Sequence, residues 1–208
     1  MSDTCFDEDE LDLLKELSNI AMGRAGRDLA KVLDEYIELS IPELRFVSSD
    51  MVMATIAEMM GGLEQSMSVV RVGFHDSLGG EAIFLFGDET WHTVAELLAD
   101  DEPENEASER KLLLDISNIL AAACLNGLAE NLKGSVVLSS APTISQRTPA
   151  SLVLDTLFSA SRSQWTKTLL VKISFTMESR DFKCDLLLFF SEQSLEGLQK
   201  RLRDILNE

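Results

Sequence analysis

The stretch LLKELSNIAMGRAGRDLAKVL, residues 13–33, decides how this sequence is interpreted, because a related stretch, LLLDISNILAAACLNGLAENL, occupies residues 112–132. The two stretches align without gaps at an offset of 99 residues, so that Glu16 corresponds to Asp115 and Asn19 to Asn118. The identical positions, in the numbering of the first copy, are Leu13, Leu14, Ser18, Asn19, Ile20, Leu29, Ala30 and Leu33. A duplicated segment that keeps an acid and an amide three residues apart predicts a repeated polar site as well as a repeated core.

Both copies have the apolar periodicity of an amphipathic helix. The side chains expected to face inward are Leu13, Leu14, Leu17, Ile20 and Ala21 in the first copy, and Leu112, Leu113, Ile116, Ile119 and Leu120 in the second. A separate polar stripe is formed by Asp12, Glu16, Asn19 and Gly23, and by Lys111, Asp115, Asn118 and Ala122. The first helix should run from about Asp7 to Glu35, and Ser108 is the expected N-cap of the second.

The elements that follow each long helix also repeat. A short strand ending at Pro42 or Pro142, a shorter helix, a hairpin and a closing helix give the order α-β-α-β-β-α twice. The predicted fold class is therefore α+β with pseudo-twofold symmetry, and about six mostly antiparallel strands in one sheet. We expect a single domain over residues 1–208, built of repeats at about 7–99 and 108–207. The charged segment 99–108, with Pro103, separates them.

Composition restricts the function classes. The formal net charge of −18 disfavours binding to nucleic acid and to anionic membranes, since both depend on basic side chains. No apolar run suggests a membrane span, and the acidic N-terminus does not resemble a signal peptide, so a cytoplasmic location is expected. The three cysteines, Cys5, Cys124 and Cys184, lack a metal-binding spacing and are predicted to be free thiols.

The pair Glu16 and Asn19 predicts a definite kind of chemistry. Side chains at i and i+3 leave a helix on one face, roughly 5–6 Å apart at Cβ. A carboxylate can bind a cation of a partner, and a carboxamide can orient a water because it both donates and accepts hydrogen bonds. Such positioning is sufficient for hydrolysis of a phosphoryl group when the rest of the apparatus lies on the substrate. The alternative is that the pair is part of an ordinary solvated helix face. The recurrence of an acid and an amide at matched positions of the second copy argues against that alternative.

The pattern Asp12-x3-Glu16-x2-Asn19-x22-Pro42 resembles the signature of the CheC-type chemotaxis phosphatases, the group of CheC, CheX and FliY. The resemblance implies hydrolysis of the aspartyl phosphate of a CheY-type response-regulator receiver domain. It implies that Asn19 orients the attacking water and that Glu16 pairs with the active-site lysine of the receiver. No cofactor is expected on this chain, because Mg²⁺ belongs to the receiver. A CheD-type deamidase is a further candidate partner in this family.

The second copy departs from the signature. Asp115 is one methylene shorter than a glutamate, Lys111 stands where an acid or serine is expected, and Pro142 is one residue further along. We therefore predict that Glu16 and Asn19 form the primary site and that Asp115 and Asn118 form a weaker, degraded one. The alternative function is a non-catalytic adaptor that binds a receiver domain or a CheD-type deamidase through the same face.

Overall fold

The computed structural model describes residues 6–97, 105–138, 141–161, 167–178 and 180–208. Cys5 and most of the predicted boundary segment, including Pro103, lie outside these residues. The elements of the first half are α1 (Glu8–Leu33), β1 (Glu38–Leu39), β2 (Glu43–Ser48), α2 (Val52–Met60), β3 (Ser66–Asp76), β4 (Gly80–Gly87) and α3 (Thr90–Leu97). Those of the second are α4 (Glu106–Asn131), β5 (Val136–Leu138), β6 (Thr143–Pro149), α5 (Ala150–Ser161), β7 (Lys167–Thr176), β8 (Lys183–Phe190) and α6 (Glu192–Leu206).

The predicted fold class is confirmed: helices pack on one sheet in which the strand pairings are antiparallel. The strand order is β1-β7-β8-β4-β3-β5, with β2 also on β7 and β6 also on β3. Each half therefore has one short strand more than the sequence predicted. Strands β1 and β2 share one edge of β7, pairing Leu39 with Phe175 and Glu43 with Lys172. The prediction ended each edge strand at its proline, whereas the chain resumes pairing immediately after it.

The two halves complete each other's sheet. Strands β1 and β2 of the first half pair with β7 of the second, and β5 and β6 of the second pair with β3 of the first. The halves join at the centre through β4 and β8, where Gly80 lies opposite Phe190. A Cβ on Gly80 would lie 1.9 Å from the carbonyl oxygen of Phe189, so this close approach requires glycine. The repeat boundaries remain a prediction.

Two apolar layers cover the sheet. The larger core lies between the sheet and helices α1, α3, α4 and α6, and includes Leu14, Ala21, Leu120, Phe84 and Phe190. The smaller core lies under α2 and α5 on the other face, and includes Ile56, Leu154 and Leu187. The long helices α1 and α4 thus bury one face and leave the opposite face open.

Helix α4 begins at Glu106, and its N-cap is Asn105 rather than the predicted Ser108. The Asn105 Oδ1 accepts hydrogen bonds from the backbone N–H groups of Ala107 and Ser108, at 2.9 and 3.1 Å. Asparagine caps a helix as well as serine does, and here it acts one turn earlier. By length and composition α4 could cross a membrane, but 61% of its apolar window is buried inside the protein. Its apolar character is therefore explained by its place in the core.

Candidate functional site

Helix α1 is fixed at its first turn by a capping box. The Asp7 carboxylate accepts a hydrogen bond from the Glu10 N–H at 2.8 Å, and the Glu10 carboxylate accepts one from the Asp7 N–H at 3.0 Å. This reciprocal arrangement satisfies two backbone donors that a helix N-terminus would leave unpaired. The helix therefore begins at a defined residue, and the direction of every later side chain follows from that start.

Glu10 also anchors the rotation of α1. Its carboxylate is fully buried, and it accepts hydrogen bonds from Gln199 Nε2 at 2.9 Å and from Arg203 Nε at 2.5 Å, both on α6. Burial opposes ionisation, but the hydrogen bonds from Gln199, Asp7 and Arg203 outweigh it and hold the pKa of Glu10 below its usual value. The carboxylate is therefore charged and held against α6.

The same anchor is repeated in the second half. Glu109 is 1% exposed and accepts hydrogen bonds from Ser68 Oγ at 3.0 Å and from Arg147 Nη2 at 3.1 Å. Asn19 follows Glu10 by nine residues, and Asn118 follows Glu109 by the same interval. Nine residues are two and a half helical turns, so each asparagine points away from its buried glutamate. The duplicated sequence thus encodes an inward acid and an outward amide together.

The structure places Glu16 and Asn19 on the exposed side of α1. Within the described part of the chain, neither side chain has a hydrogen-bond or ion-pair partner. Both are therefore available to a visiting molecule. Gly23 continues the stripe, and a Cβ at this position would meet no atom within 4 Å. Because Gly23 has no side chain, a partner can approach the helix backbone closely beside Asn19.

One apolar residue departs from the predicted pattern. Ile20 was expected to face inward, but it is 43% exposed, next to Asn19 on the surface. The sheet and α4 cover the helix around Leu14 and Ala21, and Ile20 lies at the rim of that covered region. It adds an apolar contact beside the polar pair.

The second stripe is also exposed. Asp115 and Asn118 lie on the open face of α4 and have no hydrogen-bond or ion-pair partner among the residues that the structure describes. Lys111 is exposed one turn before Asp115. The departures noted in the sequence therefore occur on a surface that a partner could still reach.

The two stripes lie at different heights because α1 and α4 are antiparallel. Asn131 Nδ2 donates a hydrogen bond to the Leu17 carbonyl at 3.2 Å, and a Cβ on Gly127 would lie 3.3 Å from Ala21. With these residues opposite each other, Asn19 and Asn118 are separated by roughly 16 Å along the helix axes. One phosphoryl group cannot contact both amides, so the stripes are two separate candidate sites.

Asp12 and Pro42, the outer residues of the signature, meet at a cleft. This cleft, which we call the α1–β2 cleft, has a volume of about 400 Å³ and lies on the side of α1 away from α4. Its apolar lining consists of Leu11, Ile41, Pro42, Leu44 and Phe46, and its charged lining of Asp12, Lys15, Glu43 and Arg45. Sequence reasoning missed the cleft, because Ile41 falls within the short strand that was predicted to end at Pro42. The signal in the sequence that could have indicated an apolar surface was Ile41, which directly precedes the signature residue Pro42.

Within the part of the chain that the structure describes, metal and thiol chemistry lack a candidate centre. Among the described residues, no group of three or more His, Cys, Asp or Glu side chains is placed to hold a metal ion. Cys124 and Cys184 are free and fully buried. Burial raises the pKa of both thiols, and the negative charge of Asp185 adds to the effect at Cys184. Neither is suited to act as a nucleophile.

Comparison with known proteins agrees with this architecture. No family model matches the chain. The chain is 24% identical over 185 residues to the CheY-P phosphatase CheC of Bacillus subtilis, and the match covers 77% of this chain and 85% of that protein. The resemblance to the CheC-like group inferred from the signature is thereby confirmed.

Solved structures share the fold at low sequence identity. The crystal structure of Thermotoga maritima FliY superimposes with a TM-score of 0.66 and 17% identity, covering 96% of this chain and 98% of that chain. FliM of H. pylori, solved in a complex with SpeE, gives a TM-score of 0.62 and 11% identity, with coverage of 96% and 97%. At these identities the likeness concerns the fold alone.

Proposed function

We propose that this chain is a member of the CheC-like chemotaxis phosphatase family, which its similarity to CheC supports, and that it hydrolyses the aspartyl phosphate of a CheY-type receiver domain. The observation that carries the proposal is the placement of Glu16 and Asn19 on one open face of α1 without an internal partner in the described part of the chain. Similarity to a protein named a CheY-P phosphatase supports the same substrate class.

In the proposed reaction, Asn19 enters the phosphate pocket of the receiver and orients a water molecule. The amide carbonyl accepts a hydrogen bond from the water while the N–H₂ group donates to a phosphoryl oxygen. The water oxygen forms a bond to phosphorus as the bond to the aspartate oxygen breaks. The products are inorganic phosphate, which takes the oxygen and both protons of the water and leaves as H₂PO₄⁻, and a free aspartate carboxylate, which keeps the electrons of the broken P–O bond. Orientation of the water is the main contribution of this chain.

Glu16 supplies the second contact. Its carboxylate lies one turn before Asn19 and can pair with the lysine that a receiver holds beside its phosphate. This ion pair orients the two proteins so that the amide meets the phosphoryl group. The receiver brings Mg²⁺, which neutralises charge on the phosphoryl oxygens. The chain itself then needs no metal.

The first site should carry most of the activity. The Asp115 side chain is one methylene shorter than that of Glu16. Lys111 adds a positive charge beside Asp115, and this charge repels the receiver lysine that the carboxylate must bind. Roughly 16 Å separates Asn19 from Asn118 along the helices, so each site would act on its own receiver.

The test is the decay of phosphorylated receiver in the presence of this chain. Candidate CheY-type receivers are phosphorylated with a small-molecule donor, and Asn19→Ala is compared with Asn118→Ala. We expect Asn19→Ala to lower the accelerated rate about 100-fold, as the loss of a group that acts in the transition state does, and Asn118→Ala to lower it less than twofold. Equal losses would refute the ranking of the two sites, and no acceleration by the wild type with any receiver would refute the proposed function.

The rival function is a non-catalytic adaptor that binds a receiver or a CheD-type deamidase. The fold likeness to FliM, solved in complex with another protein, and the altered second stripe favour it. The decay assay separates the two functions when it is combined with a binding measurement. An adaptor would bind the receiver or the deamidase and leave receiver decay unchanged, in the wild type and in Asn19→Ala alike.

A further inference from the structure

The α1–β2 cleft borders the first stripe. Asp12 lines the cleft and also belongs to the stripe that carries Glu16 and Asn19. From Asp12 to Asn19 the helix rises roughly 10 Å. A stable protein interface buries about 800 Å² on each partner, which corresponds to a disc of roughly 16 Å radius. A partner centred on Asn19 therefore covers the cleft.

The cleft exposes apolar surface, although part of it also packs within the chain: the centroid of the Phe46 ring lies 4.8 Å from that of Phe6. Ile41 is 72% exposed and Phe46 is 41% exposed, although both stand beside charged residues. Such a recess, lined by both apolar and charged side chains, can receive the anchoring side chain of a partner.

The second half lacks the same surface. When Pro42 is aligned with Pro142, Ala141 replaces Ile41 and Gln146 replaces Phe46. Among the described residues, the isoleucine and phenylalanine of the recess therefore stand beside the stripe with the complete signature and have no counterparts at the aligned positions of the second half. This asymmetry links the recess to the first site rather than to the fold, since both halves build the same edge strand.

We propose that the α1–β2 cleft binds an apolar side chain of the receiver whose aspartyl phosphate is presented to Asn19. The inference rests on the proposed function and adds to it the contact that selects the first site. The side chain enters between Ile41 and Phe46 against Pro42. Lys15 can meet an acidic group of the receiver and Asp12 a basic one, whereas Arg45 and Glu43 already face Glu58 and Lys172 of the same chain, at 4.0 and 3.7 Å.

The test is Ile41→Ala, which gives the first half the residue found at the corresponding position of the second. Because Ile41 is largely exposed, the variant keeps the folded state. The matched control is Leu152→Ala, which removes the same kind of side chain at 61% exposure on α5, across the sheet from α1. The probe is the receiver that the wild type dephosphorylates fastest, loaded with beryllofluoride for binding and with phosphate for turnover.

We expect Ile41→Ala to raise both Kd and KM about five- to tenfold while kcat stays within about twofold. Leu152→Ala should match the wild type in all three quantities. Wild-type Kd and KM in Ile41→Ala, or a loss confined to kcat, would overturn the inference and leave the proposed function standing. A wild-type dimer that Ile41→Ala converts to a monomer would assign the cleft to a second copy instead. Failure of the wild type to bind or dephosphorylate any receiver would overturn both.

Discussion

Replacement of Gly23 by alanine should make this protein more stable and less active. A Cβ at Gly23 would meet no atom within 4 Å, so the methyl group has room in the isolated chain. Alanine in a helix interior is favoured over glycine by about 0.5–1 kcal/mol. For a chain of this size, that gain raises Tm by about 1–4 °C.

The same methyl group stands on the open stripe that we assign to docking. If the loops of a receiver pack against the helix beside Asn19, the added carbon must be accommodated in a close-packed interface. Overpacking of that kind costs about 1–3 kcal/mol, and thus lowers kcat/KM by about 5- to 150-fold. Ala122 occupies the corresponding position on α4, which fits the weaker activity predicted for the second site.

The matched control is Gly197→Ala on α6, where an added Cβ also meets no atom within 4 Å. Thermal unfolding and receiver dephosphorylation are measured for both variants. Both should gain stability, and only Gly23→Ala should lose activity. Full activity in Gly23→Ala would refute close packing against the stripe. A loss of stability would instead show that the position is not open.

Three further outcomes are expected. Glu10→Gln should lower the free energy of unfolding at pH 7 by about 1–3 kcal/mol, because it removes a buried carboxylate that accepts hydrogen bonds from α6. Since the folded pKa of Glu10 lies below its ordinary value of 4.5, its contribution is present above that pH and is lost as the pH falls through the folded pKa. Urea unfolding should therefore show wild type and variant converging in acid, and the exposed Glu8→Gln should show no such difference. In an Asn19→Ala background, Asp115→Glu should raise the residual dephosphorylation rate several-fold. An unchanged rate would exclude the length of the Asp115 side chain as the cause of weak activity at the second site. Alkylation of the native protein followed by mass spectrometry should leave Cys124 and Cys184 unmodified, and rapid labelling of either would contradict their burial.

Helical periodicity located the long helices well, because a one-sided apolar stripe repeats every three to four residues. The predicted first helix, from about Asp7 to Glu35, differs from α1 by two residues at most. Ile20 was assigned to the wrong side, since periodicity defines the centre of a buried face better than its rim. Ser108 was assigned as the N-cap of the second long helix, but Asn105, which lies one turn earlier and caps a helix equally well, takes that role.

The chain that follows each proline was harder to predict. Proline lacks a backbone donor, and it was therefore interpreted as the end of a strand. Strands β2 and β6 nevertheless begin directly after Pro42 and Pro142, and each pairs with a strand of the other half. Strand β6 alternates between exposed and half-buried positions, but in its sequence, TISQRTP, Ile144 is the single large apolar side chain, so no hydrophobic period marks it.

By itself, the sequence determined the two stripes and their outward direction. An apolar face on one side and an acid and an amide three residues apart on the other specify one rotation of each helix, since a helix has a fixed angle per residue. The buried acids Glu10 and Glu109, which hold that rotation, emerged only from the structure. Only the tertiary structure decided how the stripes relate to their surroundings. The antiparallel packing of α1 on α4 separates the two sites, and the pairing of β2 with β7 places Ile41 and Phe46 beside Asp12. These neighbours come from contacts between distant parts of the chain, and no local pattern of residues encodes a distance across a sheet.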